Sequence, residues 1–241
     1  MNFKDKKFII ALVLCSVVLT AVLILVSPLF HIQEVVIQGN NRISTSDIKE
    51  RLGVSSSSNI LLLNTRNARR RIMGNLYIGD VSFRRDLPGH LYVTVFERRP
   101  SAYVMHMENV LVLDDFGRVL DVRTYFRETL PLLVGLQFTR FQRGEILDVS
   151  NATDFDSVVL YTQLLINYDL IHNISHINVS DPDNIRILVN YLEFHVGGDA
   201  DADEKVRAIV EVLNRLPDAG RMRGIIDIRE SRSEFFLNPL Q

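Results

Sequence analysis

The chain has 241 residues, 23% charged and 47% hydrophobic, with a formal net charge of −2 at neutral pH. That supports a real core in one large or two small domains and argues against a disordered or fibrous chain. The single cysteine, Cys15, lies in the first apolar stretch, which excludes a disulfide scaffold, a Cys-based zinc site and a Cys nucleophile from everything beyond it.

Phe8–Phe30 holds 23 residues without an Asp, Glu, Lys or Arg. As a helix it would run roughly 35 Å, enough to cross a hydrocarbon core of about 30 Å with some tilt. The run is too long for the core of a cleavable signal, and no small-residue cleavage site follows it. The expectation is an uncleaved single-span anchor. Lys4, Lys6 and Lys7 precede it, whereas His31–Asn41 contains no Lys or Arg. The basic side stays in the cytoplasm, so residues 1–7 would be a cytoplasmic tail and the rest would lie outside. The exported part is polarised. Residues 31–99 carry 11 Lys/Arg against 6 Asp/Glu, and residues 100–241 carry 13 against 22. A basic module beside the bilayer suits anionic headgroups, although two ordinary solvated surfaces would give the same count.

After the anchor, Ile32–Gln38 reads as a strand that ends in the turn Gly39-Asn40-Asn41. Ser44, three residues before Asp47, starts a helix with Ile48 and Leu52 on one face, and Gly53 closes it. Asn64 caps a second helix, Thr65–Asn75, which buries Ala68 and Ile72 and turns Arg66, Arg69, Arg70 and Arg71 outward. Two strands follow, Ile78–Arg85 and His90–Glu97, joined at Leu87-Pro88-Gly89-His90 by an expected type II turn. The order is β-α-α-β-β, an α+β unit with two helices on one face of a three-stranded sheet.

Past Pro100 the pattern is richer in strands. Ser101–His106 and Asn109–Leu113 can pair, and Asp114-Asp115-Phe116-Gly117 turns into Arg118–Val122. Leu130–Leu136, with Pro131 near its start, suggests an edge or irregular strand. Asp154–Tyr168 reads as a helix, Ile174–Val179, Asn184–Val189 and Leu192–Val196 as strands, and Asp203–Leu216 as a helix. Gly224–Arg229 is the last strand, followed by a tail, 230–241, that contains Phe235 and Phe236.

Few constellations for chemistry are present. Asp199-Ala-Asp201-Ala-Asp203 imitates the start of a calcium loop but has Glu204 where that loop needs Gly and Val210 where it needs Glu. His172 and His176 have the spacing of a zinc helix, yet their segment reads as loop and strand. Phosphate-cradling glycine loops and nucleophile elbows are absent from the sequence. The expectation is a non-enzymatic protein without metal or cofactor. The arginines Arg66, Arg69, Arg70 and Arg71 form either a solvated face or a contact for lipid headgroups or a partner. Export makes nucleic acid an unsuitable partner.

The segment Val81–Ala102, VSFRRDLPGHLYVTVFERRPSA, together with Gly39-Asn40 after the first strand and an anchor directly before it, resembles the bacterial cell-division FtsQ/DivIB family. That resemblance implies a POTRA domain over 31–99 and a strand-rich α+β "β domain" over 100–229. It also implies a scaffold of the division machinery that docks earlier division proteins through the POTRA domain and helps control septal wall synthesis. In the family, the last strand of the β domain and the residues after it take an added strand from a small coiled-coil protein, FtsB or DivIC, which pairs with FtsL. The family's Asp-x-Arg falls on Asp227 and Arg229, so the implied partner-binding set is Ile226, Asp227, Ile228, Arg229, Glu230, Arg232, Phe235 and Phe236, with Arg229 paired to a partner carboxylate. The residues alone also allow Ile226 and Ile228 to be plain core, with the two phenylalanines covering an edge. A POTRA-bearing chaperone or translocation component is the alternative function; it would be expected to carry tandem POTRA units or a membrane barrel, and this sequence has neither pattern.

Overall fold

The computed structural model describes residues 3–127, 129–150, 152–215 and 223–229, and it divides into two compact units at Glu97/Arg98.

The first unit begins with helix α1, Phe3–Leu25. It ends there because Pro28 cannot continue it, and a single 3-10 turn covers Pro28–Phe30. The described apolar side chains of α1 are exposed. Among the described residues, no helix is long and apolar enough to cross a membrane. The expected span over Phe8–Phe30 is not confirmed, and the helix itself stops at Leu25.

Beyond it come β1 (Glu34–Gln38), α2 (Thr45–Leu52), α3 (Thr65–Ile72), β2 (Ile78–Asp86) and β3 (His90–Glu97). The strand order is β1-β3-β2, with β1 parallel to β3 and β2 antiparallel to it. The capping signals act as read. Ser44 Oγ accepts from the Asp47 amide, Asn64 accepts from the Asn67 amide, and Gly53 closes α2 at φ 62°. Ile48, Leu52, Ile60, Ala68 and Ile72 pack on Val81, Leu91, Val93 and Val95, all buried.

Two features that carried the family resemblance have a direct physical purpose here. Gly39 has φ 81°, and a Cβ built on it would lie 2.3 Å from the Val95 carbonyl oxygen. The Glu97 carboxylate accepts from the amides of Arg42 and Ile43 at 2.8 and 2.9 Å. Together they clamp the β1–α2 turn onto the end of β3. The β2–β3 joint differs from expectation, since Gly89 is not at positive φ and the Leu87–Pro88 peptide is cis, so the turn is not type II. Glycine is needed there for a different reason. A Cβ would come within 2.7 Å of the His31 carbonyl, where the chain entering β1 donates from the Gln33 amide to the Gly89 carbonyl.

The second unit is an eight-stranded mixed sheet with two helices. Its strands are β4 (Pro100–His106), β5 (Asn109–Asp114), β6 (Val119–Arg123), β7 (Leu132–Val134), β10 (Ile174–Asn178), β11 (Ile185–Val189), β12 (Leu192–Gly197) and β13 (Gly224–Asp227). A separate ribbon pairs β8 (Phe138–Arg140) with β9 (Asp148–Val149), neither of which the sequence pattern predicts. The sheet order is β13-β12-β11-β10-β7-β4-β5-β6. Thus β7 is not an edge. It runs parallel to both β4 and β10 and welds two antiparallel meanders into one sheet. Its length of three residues and the adjacent proline misled the sequence reading. Pro131, lying just before the strand, costs the ladder no donor, and its carbonyl accepts from the Tyr103 amide.

Helices α4 (Ala152–Asn167) and α5 (Ala202–Arg215) cover one face of the sheet. Phe155, Val158, Tyr161 and Leu165 of α4 and Val206, Ile209 and Val212 of α5 join Val104, Leu111, Ile187, Phe194 and Ile226 in one core. Tyr103, Val110, Val112 and Leu130 form a smaller cluster.

Candidate functional site

Strand β13 lies at one end of the eight-stranded sheet. It is parallel to β12 because α5 intervenes, as a parallel neighbour requires a crossover. The register pairs Phe194 with Ile226 and His195 with Asp227, and the Ile228 amide donates to the His195 carbonyl at 3.0 Å. Alternate residues of a parallel strand bond to the same side, so Gly224, Ile226 and Ile228 spend their backbone groups on β12. The amides and carbonyls of Ile225 and Asp227 therefore face outward. No strand pairs with that side among the described residues.

The opposite end of the sheet is better protected. Along β6 the Val119 amide donates to the Glu145 carbonyl and the Gly144 amide to the Val119 carbonyl, so the loop at 142–147 lies over it. Among the described residues, that cover is seen at the Val119 end of β6, while β13 turns the backbone groups of Ile225 and Asp227 outward.

The predicted contact residues separate into three groups. Ile226 and Ile228 are 1% and 3% exposed and belong to the core, so their side chains are not available to a partner. Sequence reasoning placed them in the contact set, and the alternation of the strand takes them out of it. Ile225, which that reasoning left out, is the outward-facing position; period-two alternation from Ile226 would have found it. Glu230, Arg232, Phe235 and Phe236 lie outside the described residues.

Asp227 and Arg229 meet each other. The Arg229 guanidinium donates Nε to both carboxylate oxygens at 3.0 Å, and the Arg229 amide donates to Oδ1 at 3.1 Å. The Asp-x-Arg pair thus closes the end of the strand within the chain, where a partner carboxylate had been expected. Arg229 also packs close over Gly197, which sits at φ 68°. The hydrogen bonds from Arg229 hold the Asp227 carboxyl below the usual carboxylate range, with His195 adding to the effect. Glu193 accepts from His195 at 2.9 Å and faces Arg186 at 3.8 Å, so the strands next to β13 present charged side chains around Asp227.

Because the folded pKa of Asp227 is depressed, the pair contributes stability above the unfolded value of about 3.9 and loses it as pH falls through the lower folded value. The Asp227 carboxyl resonance should therefore titrate below about 3.9, and Arg229→Ala should move the midpoint upward. An unmoved midpoint would mean that the pair does not form in solution.

The arginines of α3 also separate. Arg71 donates to the carbonyls of Arg51 and Leu52 and caps the C-terminus of α2. Arg69 pairs with Asp80, and Arg70 donates to Asn67. Arg66 is exposed and borders an open groove between α3 and β2 that Arg69, Asp80 and Arg85 also line.

A buried polar cluster beside α5 has a structural explanation. Tyr161 donates its hydroxyl to the Gly198 carbonyl at 2.8 Å, and Lys205 donates to the same oxygen at 3.1 Å. Together they fasten the β12–α5 turn that delivers β13 to its place. Burial pushes the Tyr161 hydroxyl pKa up and the Lys205 pKa down. No group of three or more His, Cys, Asp or Glu able to hold a metal occurs among the described residues.

Residues 30–98 match the family model described as the POTRA domain, FtsQ-type. The Clostridium tetani "Cell division protein DivIB" is 24% identical over 203 residues, covering 83% of this chain and 77% of its own length. The first unit is a POTRA domain of the FtsQ type, and the chain over both units is similar to DivIB cell-division proteins. A Clostridium botulinum DivIB is 24% identical over 93% of this chain and 88% of its own length. The Bradyrhizobium diazoefficiens "Cell division protein FtsQ" is 32% identical, over 44% of this chain and 31% of its own length. The two DivIB alignments span most of the chain, and thus both units, whereas the family-model match lies in the POTRA unit, where Gly39 and Glu97 make their clamp.

Proposed function

We propose that this chain is a membrane-anchored, non-enzymatic scaffold of the bacterial division machinery, and that it recruits a partner by letting it add a strand to β13. The observation that carries the reading is the outward row of backbone groups at Ile225 and Asp227, with no strand paired to that side among the described residues. Main-chain bonds would supply affinity, and the polar row Arg186, Glu193, His195 and Asp227 would supply choice. Similarity to named cell-division proteins supports a place for that edge at the division site, and the partner proposed for it is the FtsB/DivIC-like member of an FtsL-like coiled-coil pair. The POTRA unit would dock other division proteins, and the assembled complex would help control septal wall synthesis.

The anchor reading rests on α1. Its described side chains are apolar and exposed, and lipid is the solvent that tolerates such a surface. The lysines before it favour a cytoplasmic N-terminus in a single-pass arrangement. Confinement to one membrane would let several weak contacts reinforce each other through effective concentration.

Site-specific photocrosslinking tests the edge. A crosslinker at Ile225 in the full chain, expressed in dividing cells, is expected to trap a small coiled-coil division protein. One on the covered β6 side, at Arg143, is expected not to. Equal capture at both positions, or capture at neither, would overturn the strand-addition reading.

A further inference from the structure

The side chain of Asn59 does two things at once. Its Nδ2 donates to the carbonyl of Leu25, the last residue of α1, at 2.6 Å. Its Oδ1 accepts from the amides of Leu61 and Leu62 at 2.8 and 3.3 Å. The backbone reinforces this tether, since the Ile60 amide donates to the Phe30 carbonyl and the Ile32 amide to the Ser58 carbonyl, both at 2.8 Å. The loop at 58–62 is therefore held level with the C-terminal end of α1.

That loop and the turn beside it present apolar side chains next to cationic ones. Leu62 is 63% exposed, and Leu29, on the turn that leaves α1, is 59% exposed. Arg85 reaches over from β2 to donate to the Leu63 carbonyl at 2.9 Å, which holds its guanidinium at the end of the same loop. Arg66 stands on the first turn of α3, three residues after Leu63, and no carboxylate pairs with it among the described residues. Arg69 lines the same groove but is neutralised by Asp80.

We infer that the loop Asn59–Leu63 is a second membrane contact, in which Leu62 enters the headgroup layer and Arg66 and Arg85 bind the phosphates of anionic phospholipids. The inference deepens the anchor reading and rests on it, for only if α1 lies in the bilayer does its end bring Leu62 to the interface. The contact would use apolar insertion beside cationic groups, the two terms that hold peripheral segments at a lipid surface. It would also fix how the POTRA unit stands on the membrane. It divides the arginine cluster by role, with Arg66 facing lipid and Arg71 serving as a helix cap.

The chain contains no tryptophan, so single-tryptophan variants report cleanly. Leu62→Trp and Leu19→Trp would each be placed in the full chain, reconstituted in vesicles of phosphatidylglycerol and phosphatidylcholine with bromine-labelled acyl chains. Leu19→Trp, inside α1, should be strongly quenched and Leu62→Trp partly quenched. Adding Arg66→Glu and Arg85→Glu, or using phosphatidylcholine alone, should shift the ratio of inserted to withdrawn loop roughly 30-fold toward withdrawn. Quenching at Leu19→Trp without quenching at Leu62→Trp would overturn the inference and leave the anchor standing. Absence of quenching at both would overturn the anchor as well. Quenching at Leu62→Trp that ignores lipid charge and the two arginines would overturn the phosphate contact.

Discussion

Ile225→Pro should weaken binding of a strand-adding partner by about 100-fold while leaving the second unit folded. The outward amide of Ile225 is the donor such a partner would meet, and proline removes it and puts ring atoms in the path of the incoming backbone. One lost hydrogen bond is worth only about 1 kcal/mol net. The disturbed register takes neighbouring bonds with it, and about 3 kcal/mol in all corresponds to roughly two decades in affinity. Proline is compatible with the outer side of an edge strand, so the fold should tolerate it. At Ile226 the same change would strike an amide that bonds β12 and a side chain that is 1% exposed, and it would unfold the strand whether or not a partner binds. The comparison of interest is therefore Ile225→Pro against Ile225→Thr, which keeps the amide. Isothermal titration with the purified partner domain, alongside circular dichroism to check folding, measures both. Equal affinities for the two variants would rule out strand addition at β13.

Gly39→Ala is expected to destabilise the first unit by about 3 kcal/mol. Two costs add. A non-glycine residue at φ 81° pays about 1–2 kcal/mol. Its methyl would also stand 2.3 Å from the backbone oxygen of Val95, which cannot swing aside as a side chain can. Forcing a shift in a packed sheet costs typically 1–3 kcal/mol more. Hydrogen exchange of the β3 amides reads this directly, and protection should fall by two orders of magnitude or more. A loss of less than about 1 kcal/mol would mean that the β1–α2 turn is free to move off β3, and the clamp formed with Glu97 would then be immaterial.

Much of the local structure was legible because it depends on near neighbours. Ser44, Gly53 and Asn64 cap their helices from positions that the pattern alone indicates, since a cap bonds two or three residues away. The strands β3, β11 and β12 announce themselves by alternation, and Leu91, Val93 and Val95 are buried as alternation requires. The glycine at 89 was read correctly as special and for the wrong reason. A turn type is a local matter, but the approach of His31 to Gly89 is not, and nothing near Gly89 in sequence signals it.

The site shows the same division. That the final strand follows a helix, and so must run parallel to its neighbour, could be taken from element order. Which residues of it face outward could also have been had by counting from Ile226. The pairing of Asp227 with Arg229 was open to inspection too, as both lie on one short segment, yet a partner's carboxylate was an equally good mate on paper. Only the folded strand end brings the guanidinium within 3.0 Å of both oxygens. Likewise the arginines of α3 look alike in sequence, and their partners, the end of α2 for Arg71 and Asp80 for Arg69, come from other elements.

By itself, the sequence determined the apolar run after the first lysines, the β-α-α-β-β order of the first unit, the strand-rich second unit and the FtsQ-type POTRA domain. These follow from periodicity, capping chemistry and composition, all short-range properties of the chain. The tertiary structure alone decided that β7 is central, that β13 is the end strand with Ile225 and Asp227 facing out, and that Asn59 ties Leu62 to the end of α1. Those outcomes depend on which distant segments become neighbours, and that is fixed by how a whole sheet and its helices share one core.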